Sequence, residues 1–214
     1  MSHIFSITSK CENQEQQSGL LVLVHSIKKF HPNSEIVVVD SDSTFKNHFD
    51  TLVSLGCYVE DIANKNYESG AMWHTYEKYN RDTYIYLQDS MVVNDNLEQY
   101  FNEDIIVYAR YMGWEHTEDQ HKFWTKEEIL KTGYSYIEDK VFGIVTYNGM
   151  IIKRDLMSKL YSKKLNLIKP TCKIHSESME RIWGMCLYQE GVMDGNEKYL
   201  ISPNKILKYH VYRK

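Results

Sequence analysis

Tyr84-Ile85-Tyr86-Leu87-Gln88-Asp89-Ser90 is an apolar run that ends in a single acidic side chain followed by a small hydroxyl residue. Asp82 and Asp95 stand apart from it on either side. The pattern predicts a buried strand with Asp89 at its carboxyl edge, held rigidly and facing a crevice. A carboxylate so placed suits a hard divalent cation, which seeks oxygen ligands. The competing reading is an aspartate that opens a turn. His210, in Lys208-Tyr209-His210, is a candidate second ligand, since neutral imidazole also binds Mn2+; otherwise it is a surface histidine. No GxGxxG follows the first strand, and no GxxxxGK[ST] occurs anywhere. Any phosphate bound here must therefore be neutralised by a metal or by side chains rather than by a glycine-rich cradle.

The elements that must position these groups follow from periodicity. His3–Ile7 reads as a strand, Thr8 to Gln17 as a polar loop, and Gly19 to Phe30 as a helix with Leu20, Leu23, Val24, Ile27 and Phe30 on one face. Glu35 to Val39 is a β-branched strand delivering Asp40-Ser41-Asp42-Ser43. A helix from Phe45 to Leu55 closes at Gly56, Cys57-Tyr58-Val59 is a strand, and Gly70 to Tyr79 is a helix leading into the Tyr84 strand. Alternating strands and helices predict an open α/β sheet. Beyond Leu97 the rhythm changes. Asp104 to Tyr111 and Val141 to Lys153 read as strands, the latter a hairpin around Asn148-Gly149. Lys126 to Lys131 reads as a helix, and so does Ser176 to Gln189, with Met179, Ile182, Trp183, Cys186 and Leu187 in one apolar stripe. The expectation is a single domain over 1–214, with a nucleotide-binding half (about 1–97) and an acceptor-side half (about 98–214).

Composition narrows the function classes. The formal charge is −4 and the basic clusters are short, Lys28-Lys29 and Lys163-Lys164, which argues against a nucleic-acid surface. The cysteines at 11, 57, 172 and 186 show no CxxC, so reduced thiols in a cytoplasmic setting are expected. No stretch is long and apolar enough to be a membrane span. Seventeen tyrosines suit the half-buried walls of a cleft. Trp114, His116, His121 and Trp124 mark a loop whose rings could stack on a sugar. With Glu115, Glu118 and Asp119 these histidines match no zinc spacing.

Taken in order, Ile36-Val37-Val38-Val39-Asp40, Tyr84 to Ser90, Gly149-Met150-Ile151-Ile152-Lys153-Arg154, Glu180-Arg181-Ile182-Trp183-Gly184 and His210 resemble a small nucleotide-sugar glycosyltransferase of the GT-A class. The chain is most similar to the compact N-terminal glycosyltransferase module of large chlorella viruses. The resemblance implies a GT-A-like α/β domain with a central mixed, mostly parallel sheet flanked by helices. It implies Mn2+ (or Mg2+) and a UDP-sugar donor, with a hexosyl or deoxyhexosyl group passed to a glycan hydroxyl, and a location in the host cytoplasm if the chain is viral. Thr8 and Ser9 would border the nucleoside, Asp40 would lie near uracil or ribose, and Asp89 with His210 would bind the metal. Glu177 or Glu180 would face the acceptor. The family's Asp-x-Asp element is here Gln88-Asp89-Ser90 with neither Leu87 nor Gln88 acidic, so the metal role falls on Asp89, and Gln88 is left to hydrogen-bond the donor.

Transfer from a nucleoside diphosphate builds charge on the leaving diphosphate, which a divalent ion stabilises. An inverting course also needs a carboxylate to take the acceptor's proton. Glu180 is the expected base and Glu177, one turn earlier, its rival; a retaining course would need neither. Two other classes compete: a sugar-phosphate nucleotidyltransferase, which needs a basic glycine-rich loop where Thr8 to Gln17 is acidic and amide-rich, and a non-catalytic carbohydrate-binding module.

Overall fold

Short β-branched and aromatic runs pair into a six-stranded sheet in the computed structural model of the chain, which describes residues 2–108, 114, 118–138, 142–193, 201 and 205–208. The first half supplies β1 (His3–Ser9), α1 (Gln14–Phe30), β2 (Glu35–Asp40), α2 (Phe49–Ser54), β3 (Tyr58–Glu60), α3 (Tyr67–Lys78), β4 (Thr83–Gln88) and β5 (Met91–Val93). The second supplies β6 (Ile105–Val107), α4 (Asp119–Ile129), β7 (Met150–Lys153), α5 (Arg154–Ser162), α6 (Lys173–Gln189) and β8 (Ile206–Lys208). The sheet order is β3-β2-β1-β4-β7-β6. The β3-β2-β1-β4 portion is parallel, whereas β7 runs antiparallel to both β4 and β6. This is the mixed, mostly parallel, helix-flanked α/β domain that the sequence led us to expect.

Period-two alternation divides the strands between two cores. Ile4, Val37, Tyr84 and Ile152 face one way, where they meet Trp73 of α3, Leu156 and Met157 of α5 and Trp183 of α6. Phe5, Val38, Ile85 and Ile151 face the other, against Leu20, Leu23 and Ile27 of α1. With both faces covered, β4 is buried from Thr83 to Leu87, so the run reads as uniformly apolar. Among the described residues no helix is long and apolar enough to cross a membrane.

Several boundaries differ from the sequence reading. β1 runs on to Ser9, because Thr8 and Ser9 still pair with Val39 and Asp40. α1 begins at Gln14, inside the expected loop, because Asn13 caps it: its side chain accepts from the Gln16 N–H at 3.0 Å. α3 starts at Tyr67 rather than Gly70, and α6 at Lys173 rather than Ser176. α4 starts at Asp119, so Trp124 is helical and not part of a loop.

The hairpin around Asn148-Gly149 does not form. A 3-10 turn over Thr146–Asn148 leads into β7, which pairs with β4 and β6 instead. Tyr147 and Asn148 take φ of 58° and 50°, left-handed values that cost non-glycine residues strain. α5, β5 and β8 were not anticipated at all.

Candidate active site

The carboxyl ends of β1, β2 and β4 are neighbours, so register alone gathers five of the residues singled out by sequence. Ser9 lies opposite Asp40 and Thr8 opposite Gln88, with Asp89 next in the chain. Asp89 is tied to the exit of β1 twice. Its N–H donates to the Thr8 carbonyl at 3.2 Å, and its Oδ2 accepts the Lys10 N–H at 2.9 Å. The side chain is half-buried, and a backbone N–H at the β1 exit holds its carboxylate.

Asp40 is fully buried. Its Oδ2 accepts the Ser43 N–H at 3.0 Å with the Lys46 ammonium at 3.7 Å, while Oδ1 is buried and unpartnered. Ser43 Oγ in turn accepts the Cys11 N–H at 2.7 Å, stitching the β1 and β2 exits together. Burial pushes the Cys11 thiol up to about 11, with the charges of Asp89 and Asp40 adding to it against the lowering by Ser9. His48 packs nearby with both ring nitrogens buried and unpartnered. Desolvation holds it below the ordinary imidazole value, against the opposing charge of Asp40.

The β3–α3 connection completes this side. Asn64 donates to Ser41 Oγ at 2.9 Å and to the Tyr67 carbonyl at 2.7 Å. Glu68, in the first turn of α3, accepts from Gln88 Nε2 at 2.6 Å and from Ser176 Oγ of α6 at 2.7 Å. Sequence reasoning missed Glu68 because α3 was started at Gly70, which left the residue in a loop. Lys10, Asn64 and Lys46 carry no signal in type or spacing; only the tertiary contacts reveal them.

Glu180, on α6, bonds to the turn that precedes β7. Its Oε1 accepts the Tyr147 N–H at 2.7 Å, and its carbonyl accepts the Val145 N–H at 3.0 Å. The strained 146–148 turn thus rests on α6 while touching β4. Close approach is obligatory: a Cβ at Gly184 would lie 2.0 Å from the Gly143 carbonyl oxygen. Glu177 is set differently, 3.4 Å from the Lys173 ammonium and 3.7 Å from His121 Nε2. His121 Nδ1 lies 3.0 Å from Ser178 Oγ, whose own proton goes to the Ile174 carbonyl, so the imidazole donates there. Burial lowers the His121 pKa, Arg181 lowers it further, and Glu177 and Glu118 oppose. Glu180 is therefore joined to the turn, and Glu177 to α4. Farther out, Trp114, Phe123 and Tyr136 with Lys122, Lys126 and Glu138 line a surface depression of about 380 Å3.

His210 lies outside the described residues, as do Glu115 and His116. Among the described residues no group of three or more His, Cys, Asp or Glu side chains could hold a metal ion. What Asp89 offers is a single oriented carboxylate. That donor set fits a hard cation that takes one protein carboxylate and draws its remaining ligands from phosphate and water.

No protein-family model matches the sequence, and no curated protein matches it. Solved structures do share the fold. One is "GalNAc-T7 with UDP, GalNAc and Mn2+", at TM-score 0.59 and 16% identity over 90% of this chain and 41% of that one. Another is S. aureus TarS, at TM-score 0.53 and 11% identity over 88% and 33%. A shorter TarS structure in complex with UDP gives 0.51 and 10% over 86% and 56%. The chain thus spans between a third and somewhat over half of the structures it resembles. Such neighbours are GT-A glycosyltransferases, and the likeness establishes the fold.

Proposed function

We propose that this chain is a metal-dependent glycosyltransferase that moves a hexosyl or deoxyhexosyl group from a UDP-sugar to a glycan hydroxyl. The observation that carries the reading is the gathering of Thr8, Ser9, Asp40, Gln88 and Asp89 at the carboxyl ends of β1, β2 and β4. Asp89 is fixed by the backbone of the β1 exit, and Glu180 is fixed by the Tyr147 N–H on the turn that touches β4. The fold neighbours' complexes with UDP, and with UDP and Mn2+, support the donor and metal.

In this reading Thr8, Ser9 and the Asp40 loop border the nucleoside, and Gln88 hydrogen-bonds the donor beside Asp89. Asp89 and His210 hold Mn2+, or Mg2+ in its place. The role of His210 rests on the family resemblance. When bound, the cation supplies Lewis-acid stabilisation of the leaving diphosphate. The chain's own work is to orient the donor and to remove a proton. The Glu180 carboxylate takes the acceptor hydroxyl proton in an inverting transfer, its geometry fixed by the Tyr147 N–H.

The finer likeness to the chlorella-virus module rests on the ordered sequence motifs, and a viral, cytoplasmic protein acting without nucleic acid follows from the same reading. Calorimetric titration of UDP with and without Mn2+ tests the proposal. The wild type should bind UDP more tightly with Mn2+, and Asp89→Asn should lose that increment. Equal affinity in both conditions would refute it.

A further inference from the structure

Glu68 touches both halves of the proposed site. One oxygen accepts from Gln88 at the end of β4 and the other from Ser176 in the first turn of α6. A carboxylate is acceptor-only on both oxygens, so it can serve two donors at once. It also settles which end of the Gln88 amide faces α3, because only the NH2 group can meet a carboxylate. Position 68 is itself located by further bonds: Asn64 accepts the Asn66 N–H at 3.0 Å, and Asn66 Nδ2 donates to the Pro170 carbonyl at 3.2 Å just ahead of α6.

We infer that Glu68 is a positioning residue that couples the two sides: through Gln88 it orients the donor-binding strand end, and through Ser176 it ties that orientation to the acceptor helix. The inference rests on the proposed donor site: Glu68 on α3 sets the Gln88 amide next to Asp89. A specific consequence is that Ser176, on the acceptor helix, matters for nucleotide binding.

The test is UDP titration in Mn2+ for the wild type, Glu68→Ala, Glu68→Gln, Ser176→Ala, Gln88→Ala and the Ser176→Ala/Gln88→Ala double variant, with melting temperatures alongside. Loss of a charge-assisted hydrogen bond at position 68 should weaken UDP about tenfold. Ser176→Ala should weaken it roughly threefold, and by nothing further once Gln88 is already alanine, since contacting residues in one network are non-additive. Glu68→Gln, nearly isosteric and able to accept from one partner while donating to the other, should recover part of the loss and guard against a folding defect in Glu68→Ala. UDP affinity unchanged in Glu68→Gln and Ser176→Ala, or losses that simply add, would overturn the coupling while leaving the donor site intact. A wild type that binds no UDP would overturn the donor site and the coupling with it.

Discussion

The two sides of the proposed site are held by different means. On the proposed donor side the carboxylates are fixed by backbone N–H groups: Asp89 by Lys10 at the β1 exit, Asp40 by Ser43 in the turn that follows it. On the acceptor side a helix carries the carboxylates, and they are fixed by a strained turn and by neighbouring side chains: Glu180 by the Tyr147 N–H, Glu177 by Lys173 and His121. Strand register places the first set almost automatically, because parallel strands end at one edge. Nothing so regular places the second set. It depends on how closely α6 packs against residues 143–148, and there a single atom can matter.

That contrast can be broken or sharpened by substitution. The largest effect is expected from Glu180→Gln, which can still accept the Tyr147 N–H but cannot take a proton. Turnover with a true acceptor should fall by roughly 10² to 10⁴ with UDP affinity nearly unchanged. If Glu177→Gln is the slow variant instead, the base belongs to the α4 side. Gly184→Ala comes next. Its Cβ would sit 2.0 Å from a backbone oxygen, which cannot rotate away, so unfolding free energy should drop by about 3 kcal/mol in chemical denaturation.

Gly70→Ala is the matched donor-side change. There the Cβ would meet Asn64 Oδ1 at 1.9 Å, a side-chain tip rather than backbone. Displacing Asn64 breaks its bonds to Ser41, to the Tyr67 carbonyl and from the Asn66 N–H, which the gain of about 1 kcal/mol for alanine over glycine in a helix offsets in part. Stability should fall less than in Gly184→Ala, while UDP affinity should fall a few-fold. A large loss of stability here would erase the distinction between the halves.

The smallest effect concerns acid. His31 is buried. Its Nε2 accepts the Leu97 N–H at 3.1 Å, and burial lowers its pKa below the ordinary 6.5, with His3 lowering it further and Glu98 opposing. Because the unfolded chain takes up this proton first, stability is complete above pH 6.5 and declines as pH falls through the folded pKa. His48 and His121 act in the same direction. Melting temperatures from pH 7.5 to 5 should therefore fall, and less so in His31→Gln, whose carbonyl can still accept from Leu97. An identical slope would remove His31 from the account.

Much of the first half was legible because its signals are local. The uniformly apolar 84–87 run and the β-branched 36–39 run named the central strands, and their ends named Asp40 and Asp89. The order of motifs was enough to anticipate the fold. What stayed hidden was what depends on partners distant in sequence. Asn13 capping α1 from within a polar loop was missed, and so was Glu68, which has meaning only beside Gln88 and Ser176. Asn148-Gly149 has the composition of a hairpin turn. Tertiary pairing of β7 with β4 overrode that preference and left Tyr147 and Asn148, not the glycine, in left-handed conformations. Glu180 was found by resemblance; its bond to the Tyr147 N–H was not.

β5 and β8 form a two-stranded ribbon, Met91 to Lys208 and Val93 to Ile206, directly after the Asp89 turn. The partner strands are separated by more than a hundred residues of chain. A ribosome needs on the order of 10 s to make that length. For that interval the donor-side strands exist while the edge beside Asp89 lacks its hydrogen-bonding partner. Val93 and Ile206, both fully buried in the finished protein, have no means of covering one another. Closure of this ribbon is thus a late folding event, and the nascent chain carries an exposed apolar strand edge until it occurs.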